Sequence, residues 1–372
     1  MTNDLKKQSE VIGSRDLLVA IPSLILSVGV LYMPRKIAEG TIALDGVISL
    51  LFAGMVMFIM TWMTVKVAAG YPGKSFLRYA SILVGKPLSY LLTSLFILLG
   101  IFITAFSIRS VAEISHLYLF QKTPIEIVEL TFLLVVVYAV SGSRSAIFRL
   151  NRLFFPIIVF VIIFIIVLSI GFMDTNNMRP IFQTNLQGYL TSARKSILSI
   201  AGFGTFAFLF FYIPLVHQSH NISKKANAGM AWVLIIHLIL YTACIIVFGD
   251  IATTNITFPT IELARAIELP GEFFNRFESL FFLIWIIAIF NSCTLTFDIA
   301  VMGLQSMFKK VSKYSLILFF SPVIFFLCSL PKNLPETGEW GRMIGYSGLG
   351  VAFLTTFLLY VRHKGKEVKK NG

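Results

Sequence analysis

Apolar runs alternate with short polar connections along nearly the whole chain. A bilayer core takes about 20 apolar residues per helix. Ten windows of that order stand out, at about 16–37, 44–68, 88–118, 125–141, 148–171, 193–216, 228–250, 275–303, 313–330 and 343–361. The fourth and ninth are short and the third is long. The pattern predicts an all-α membrane protein of about ten transmembrane helices. Two windows are interrupted near their middle. The first breaks at Ser27-Val28-Gly29-Val30, with Leu31 just beyond, between Pro22 and Pro34; the sixth breaks at Ser199-Ile200-Ala201-Gly202-Phe203-Gly204-Thr205. Glycine weakens a helix by about 1 kcal/mol per residue, and in lipid an unwound backbone survives only inside protein or beside a cavity. Paired broken segments at the start of two halves point to a midplane binding site.

The connections are short. Residues 75–84, between Tyr71-Pro72-Gly73-Lys74 and Gly85-Lys86-Pro87, have the pattern of a short amphipathic helix lying at the interface. Residues 174–188 form a polar connection rich in Asn and Gln. In the connection 250–275, Glu262 and Arg265 are spaced i,i+3, which predicts a short surface helix. No stretch is long enough for a separate soluble domain, so the whole chain, 1–372, is expected to be one transmembrane domain. Segments one to five and six to ten run in opposite orientations because five is odd. Breaks at positions one and six then fit a five-plus-five inverted repeat, about 14–171 and 190–361.

Composition sharpens this. Hydrophobic residues make up 57% of the chain and charged ones 13%, against about a quarter charged in a soluble domain. The first window is too long and too proline-broken for a cleaved signal peptide. The net charge of +13 could suggest nucleic acid, but most of the 31 Lys and Arg fall on one side of the predicted topology. That is the positive-inside pattern, and it places both termini on the cytoplasmic side. It also makes anionic membrane lipid, not nucleic acid, the partner of the basic face.

The half-helices set the chemistry of the site. At each break one half presents free N–H groups and the other presents carbonyls, each end equivalent to roughly half a charge. A small zwitterion, carboxylate on one pair and ammonium on the other, matches this arrangement; sugars or nucleosides could use the same groups. No Asp, Glu, Lys or Arg lies within either break, which argues against a strongly charged ligand side chain. Asp298 stands inside the eighth window, where a carboxylate costs at least about 2.5–3.5 kcal/mol and needs a partner. Two readings stay open for it: a proton or cation switch, or a structural ion pair with a Lys or Arg of an inner loop. Arg109 and Glu113, at i,i+4, read as a helix-face ion pair, with an outer gate as the second reading. His217, His220 and His237 lack the companions of a metal site and read as interface histidines. Cys244, Cys293 and Cys328 are scattered among apolar segments as small buried hydrophobes. No nucleophile–base pair, P-loop or dinucleotide motif is present, so neither enzymatic activity nor a cofactor is expected.

Three features together resemble a known family. They are Ser27-Val28-Gly29-Val30 followed by Met33-Pro34-Arg35, the loop Tyr71-Pro72-Gly73-Lys74 with Tyr79 and Gly85-Lys86, and the broken sixth helix. In order and total length they resemble the B subunit of bacterial spore germinant receptors, which is similar to amino-acid permeases of the amino acid–polyamine–organocation superfamily. The resemblance spans essentially the whole chain. It implies the LeuT-like fold and a sensor in the spore inner membrane that binds a small nutrient and works with A and C subunits. The runner-up is a proton- or cation-coupled amino acid permease. By the geometry of that fold, the third and eighth helices supply the remaining walls of the site, with Phe102, Ala105, Phe106, Asn291, Cys293 and Thr294 as contributors. The region around Asp298 then faces the inner half of the first helix, where such folds often hold a coupling cation. The chain departs from the pattern in having only Gly29, not a glycine pair, in the first break, and Thr205 after Gly204.

Overall fold

The computed structural model describes residues 12–201, 204–217, 221–266 and 277–371. Fourteen helices follow one another within them: α1 Asp16–Ile25, α2 Val28–Ala38, α3 Gly46–Ala69, α4 Phe76–Val84, α5 Lys86–Tyr118, α6 Ile125–Ser141, α7 Arg144–Leu168, α8 Leu186–Ala201, α9 Thr205–Tyr212, α10 Ile222–Asn255, α11 Pro259–Arg265, α12 Phe277–Met307, α13 Lys313–Cys328 and α14 Leu334–Asn371. Six helices are long and apolar enough to cross a membrane, eight spans if each bent pair counts as one. The bent pairs are α1–α2, at 59°, and α8–α9, at 41°. Helices α6 and α13, with 17 and 16 residues, complete the ten windows but fall short of a hydrocarbon core of about 30 Å.

Boundaries moved where polar residues continue a helix beyond the apolar run. The sixth span begins at Leu186, not 193, and the last helix runs from Leu334 to Asn371 rather than 343–361. Hydropathy marks where lipid begins, whereas backbone hydrogen bonding carries a helix past that point. The interface helix appears as α4, ended by Gly85 at φ +87°, and the helix around Glu262 and Arg265 appears as α11.

The end of the bundle that holds Ile12 and the end of α14 is basal, the opposite end apical. Helices α5 and α12 form the centre and are the most buried of the long spans, at 67% and 72% of their apolar windows. Their close approach needs Gly100, where a Cβ would lie 2.8 Å from the Thr296 carbonyl oxygen. Thr104 and Thr296 share a hydrogen bond of 2.9 Å across the same contact. Large apolar side chains such as Leu134, Phe160, Phe319 and Phe357 stay exposed around the outside, as a lipid-facing belt requires. Apically, the Asp45 carboxylate accepts from the backbone N–H groups of Phe182, Gln183 and Thr184 at 2.6, 3.0 and 2.8 Å, and so pins the connection before α8. Basally, strand β1 (Ile12–Gly13) pairs in parallel with β2 (Val216–His217), tying the stretch before α1 to the end of the sixth span.

Candidate functional site

The first break follows from local chemistry. After Pro22 the chain leaves the helix at Leu26 (ψ 56°) and Ser27 (ψ −137°), and α2 restarts without a side-chain cap. The first amides of α2 therefore have no helical acceptor. Pro34 has no N–H and leaves the carbonyl of Val30, four residues earlier, without its helical donor. The hydroxyl of Thr260 on α11 fills that role, donating to Val30 O at 3.0 Å.

At the second break Gly204 takes the left-handed conformation, φ +92°, and begins α9. The Thr205 hydroxyl reaches back across the gap to Ile200 O at 3.1 Å. Gly202 and Phe203 lie outside the described residues. The two breaks face each other, and Ser199 donates to Gly29 O at 3.4 Å. One step further from the break, Ser192 donates to Ile37 O at 2.8 Å, and Lys195 pairs with Glu39 at 2.9 Å. The apical halves α2 and α8 are thus bonded together. Burial opposes ionisation of Glu39, but Lys195 and Lys36 outweigh it and hold its carboxyl below the usual range.

A small cavity adjoins the second break, lined by Gly100, Ile103, Ala201, Gly204, Thr296 and neighbouring apolar side chains. Another adjoins the first, against Leu26, Val30, Thr260 and Trp285. Each holds about 10 Å³, room for about one water, so a ligand of amino-acid size requires the walls to part. Above Asp298 on the same helix, Asn291 is fully buried with both amide atoms unpartnered, and so is the Ser292 hydroxyl. Buried amides are nearly always hydrogen-bonded, which makes Asn291 a group in want of a partner.

The sequence-chosen residues divide into groups. Ser27 to Leu31, Ser199, Ala201, Gly204 and Thr205 lie at the two breaks. Phe102, Ala105 and Phe106 line neither small cavity: Phe102 packs on Trp340 with ring centres 6.3 Å apart, Phe106 rests on the bare backbone of Gly341, and Ala105 O accepts from the Cys328 thiol at 3.4 Å. The face of α5 at the cavity carries Phe96, Leu99, Gly100 and Ile103 instead. Gly100, a glycine inside a long apolar window, was the available signal. Cys293 is buried, and the Thr294 hydroxyl is already used by Asn291 O at 2.9 Å.

Asp298 is fully buried in the basal third of α12. Tyr212, at the end of α9, donates to it at 2.7 Å, and Arg144, at the start of α7, at 2.9 Å. Lys313, at the start of α13, stands 3.6 Å away. One carboxylate thus joins four elements, including the basal half of the broken sixth span. His237 is buried with Nδ1 2.8 Å from Val233 O; His217 lies in β2, its side chain outside the described set, and His220 lies outside the described residues altogether. Among the described residues no three His, Cys, Asp or Glu could hold a metal ion.

Two bent spans around a central helix pair define the class: a membrane protein of the LeuT-like transporter fold. Solved structures of that class superimpose over most of the chain. MhsT in complex with L-phenylalanine gives a TM-score of 0.68 at 13% identity, over 95% of this chain and 96% of that one. Mhp1, a nucleobase-cation-symport-1 family transporter in a closed conformation with bromovinylhydantoin bound, gives 0.66 at 12%, over 89% and 74%. A Na+-coupled sialic acid symporter gives 0.68 at 13%, over 96% and 81%. At such identities the likeness shows the fold. Within it, the chain belongs to the spore permease family, described as "Spore germination protein", which it matches over residues 12–337. Spore germination protein GerLB of Bacillus cereus is 35% identical over 367 residues, 98% of this chain and 96% of that protein. Spore germination protein B2 of Bacillus subtilis (strain 168) is 26% identical over 365 residues, 97% and 98%.

Proposed function

We propose that this chain is the germinant-sensing membrane subunit of a spore germinant receptor. It binds a small nutrient, an amino acid above other classes, between the two breaks and triggers germination together with A and C subunits in the spore inner membrane. The observation that carries this reading is the meeting of the breaks: an uncapped helix start at Ser27 faces the left-handed Gly204 through the Ser199–Gly29 contact. Uncapped amides favour a carboxylate, and broken-helix carbonyls favour an ammonium. The buried, unpartnered Asn291 amide adds a polar group for the same ligand. The names of the relatives support the biological context, and the L-phenylalanine in MhsT supports the ligand class. Asp298, bonded to Arg144 and Tyr212, is the proposed ion or proton switch that couples the site to the basal end.

A second reading, a proton- or cation-coupled amino acid permease, is favoured by the symporters among the solved neighbours. One paired experiment separates them. Spores lacking the gene are scored for amino-acid-triggered germination, and the purified protein in liposomes is scored for uptake of the same amino acids. Lost germination without uptake supports the sensor; concentrative uptake with normal germination supports the permease. Normal germination and no uptake would end both readings.

A further inference from the structure

Arg109 and Glu113 are more than a surface pair. Both are buried near the apical end of α5, and Arg109 also reaches Glu129 on α6, which is fully buried. Arg109 Nε donates to Glu113 Oε1 at 2.8 Å and Arg109 Nη1 to Glu129 Oε1 at 2.9 Å. Thr337 on α14 donates to Glu113 Oε1 at 2.8 Å. Ser329, just after α13, donates to Glu129 Oε2 at 3.3 Å. Glu113 Oε2 is buried and has no partner.

The charges do not balance. Two carboxylates share one guanidinium, and among the described residues no second cation enters the cluster. The other titratable groups nearby are Glu126 on α6 and Cys328 on α13, both close enough to act on Glu129 electrostatically. Cys293 on α12 acts in turn on Cys328. His116, on α5, has Nδ1 at Thr123 O, and Glu336, on α14, accepts from the backbone N–H of Lys332. None of these supplies a positive charge to the pair. An uncompensated charge is costly where water is excluded, and a second carboxylate in one site disfavours the ionised form of the first.

We propose that Glu113 and Glu129 form a proton-binding site that holds a single proton at neutral pH, distinct from the two breaks and from Asp298. The proton belongs to the pair rather than to either residue. Of the pair's four carboxylate oxygens, Glu113 Oε2 is the one without a donor. With it bound, the cluster is one guanidinium, one carboxylate and one carboxylic acid, electrically neutral. Without it, two carboxylates repel at the point where α5, α6, α13 and α14 meet, so its release loosens the apical end of the bundle.

Glutamine has the shape of a protonated glutamate, so the proposal makes a definite demand of the variants. Glu113→Gln and Glu129→Gln, each purified as the full chain in lipid nanodiscs, should fold and melt at pH 7 as the wild type does. Infrared spectroscopy at pH 7 should show a protonated-carboxyl stretch in the wild type and in Glu126→Gln, and its loss in each of the other two. Because the native state holds a proton that the unfolded chain releases, the wild-type melting midpoint should fall as pH rises from 6 to 9, more steeply than in either variant. Three results would each overturn the site: a band unaffected by both substitutions, both variants failing to fold at pH 7, or saturable stabilisation by Na+ or K+ that both abolish. The last would mean that a metal cation, not a proton, balances the charge.

Discussion

Asp298 is tolerated inside a span because two donors, Tyr212 and Arg144, bond to it and the charge of Lys313 stands 3.6 Å away. Removing one member of a buried pair leaves the others uncompensated and typically costs about 3–5 kcal/mol. Losing a single hydrogen bond to a charged group costs about 1.5–3 kcal/mol. Thermal unfolding in detergent should therefore rank Asp298→Asn below Tyr212→Phe, and both below wild type; an unchanged midpoint for Asp298→Asn would show that the network stabilises nothing. Gly204 offers a second test. An alanine there must adopt φ +92° with its Cβ 3.1 Å from Thr296 Cγ2, a strain of about 1–3 kcal/mol. Nothing lies within 4 Å of a Cβ at Gly171, so Gly171→Ala should leave the melting midpoint unchanged while Gly204→Ala lowers it. At this scale the sequence reveals which residues are exceptional, since a carboxylate or a glycine inside an apolar window is visible by eye. It does not reveal partners. Tyr212 and Arg144 lie 86 and 154 residues from Asp298, and no local pattern links them.

Among the elements, the broken spans are repaired by side chains borrowed from elsewhere. Pro34 disables the carbonyl of Val30, and Thr260 of α11 supplies the missing donor. Thr260→Val should leave that buried carbonyl unsatisfied, at about 1–3 kcal/mol. Faster amide exchange in α2 and α11 would report it, with exchange in α5 and α12 unchanged. Equal protection of α2 and α11 in wild type and variant would mean that the latch is incidental. The apical halves α2 and α8 are held together by Ser192, Ser199 and Lys195. Sequence reading located both breaks because glycine and proline act on their own backbone. It chose Phe102 and Phe106 as walls; neither lines the two small cavities, and the rings touch Trp340 and Gly341. Periodicity shows which residues of a helix share a face; which neighbour that face meets depends on how the helix is rotated in the bundle.

For the whole molecule, the orientation proposed from the distribution of Lys and Arg is directly testable. Cysteine placed at Lys74 or Lys310, both basal, should react with a membrane-impermeant reagent only from the cytoplasmic side, and cysteine at Thr254, apical, only from the opposite side. Labelling of Lys74 and Thr254 from the same side would overturn the arrangement. The amino-acid sequence by itself determined the solvent, the approximate spans, the two interruptions and hence the inverted-repeat fold. These follow from transfer free energies and backbone propensities, which act within a turn or two of chain. Tertiary structure alone decided the closeness of α5 and α12, the two cavities of about 10 Å³ and the companions of Asp298 and Arg109. Those depend on the packing of side chains far apart in sequence, where a single glycine such as Gly100 sets how near two helices come.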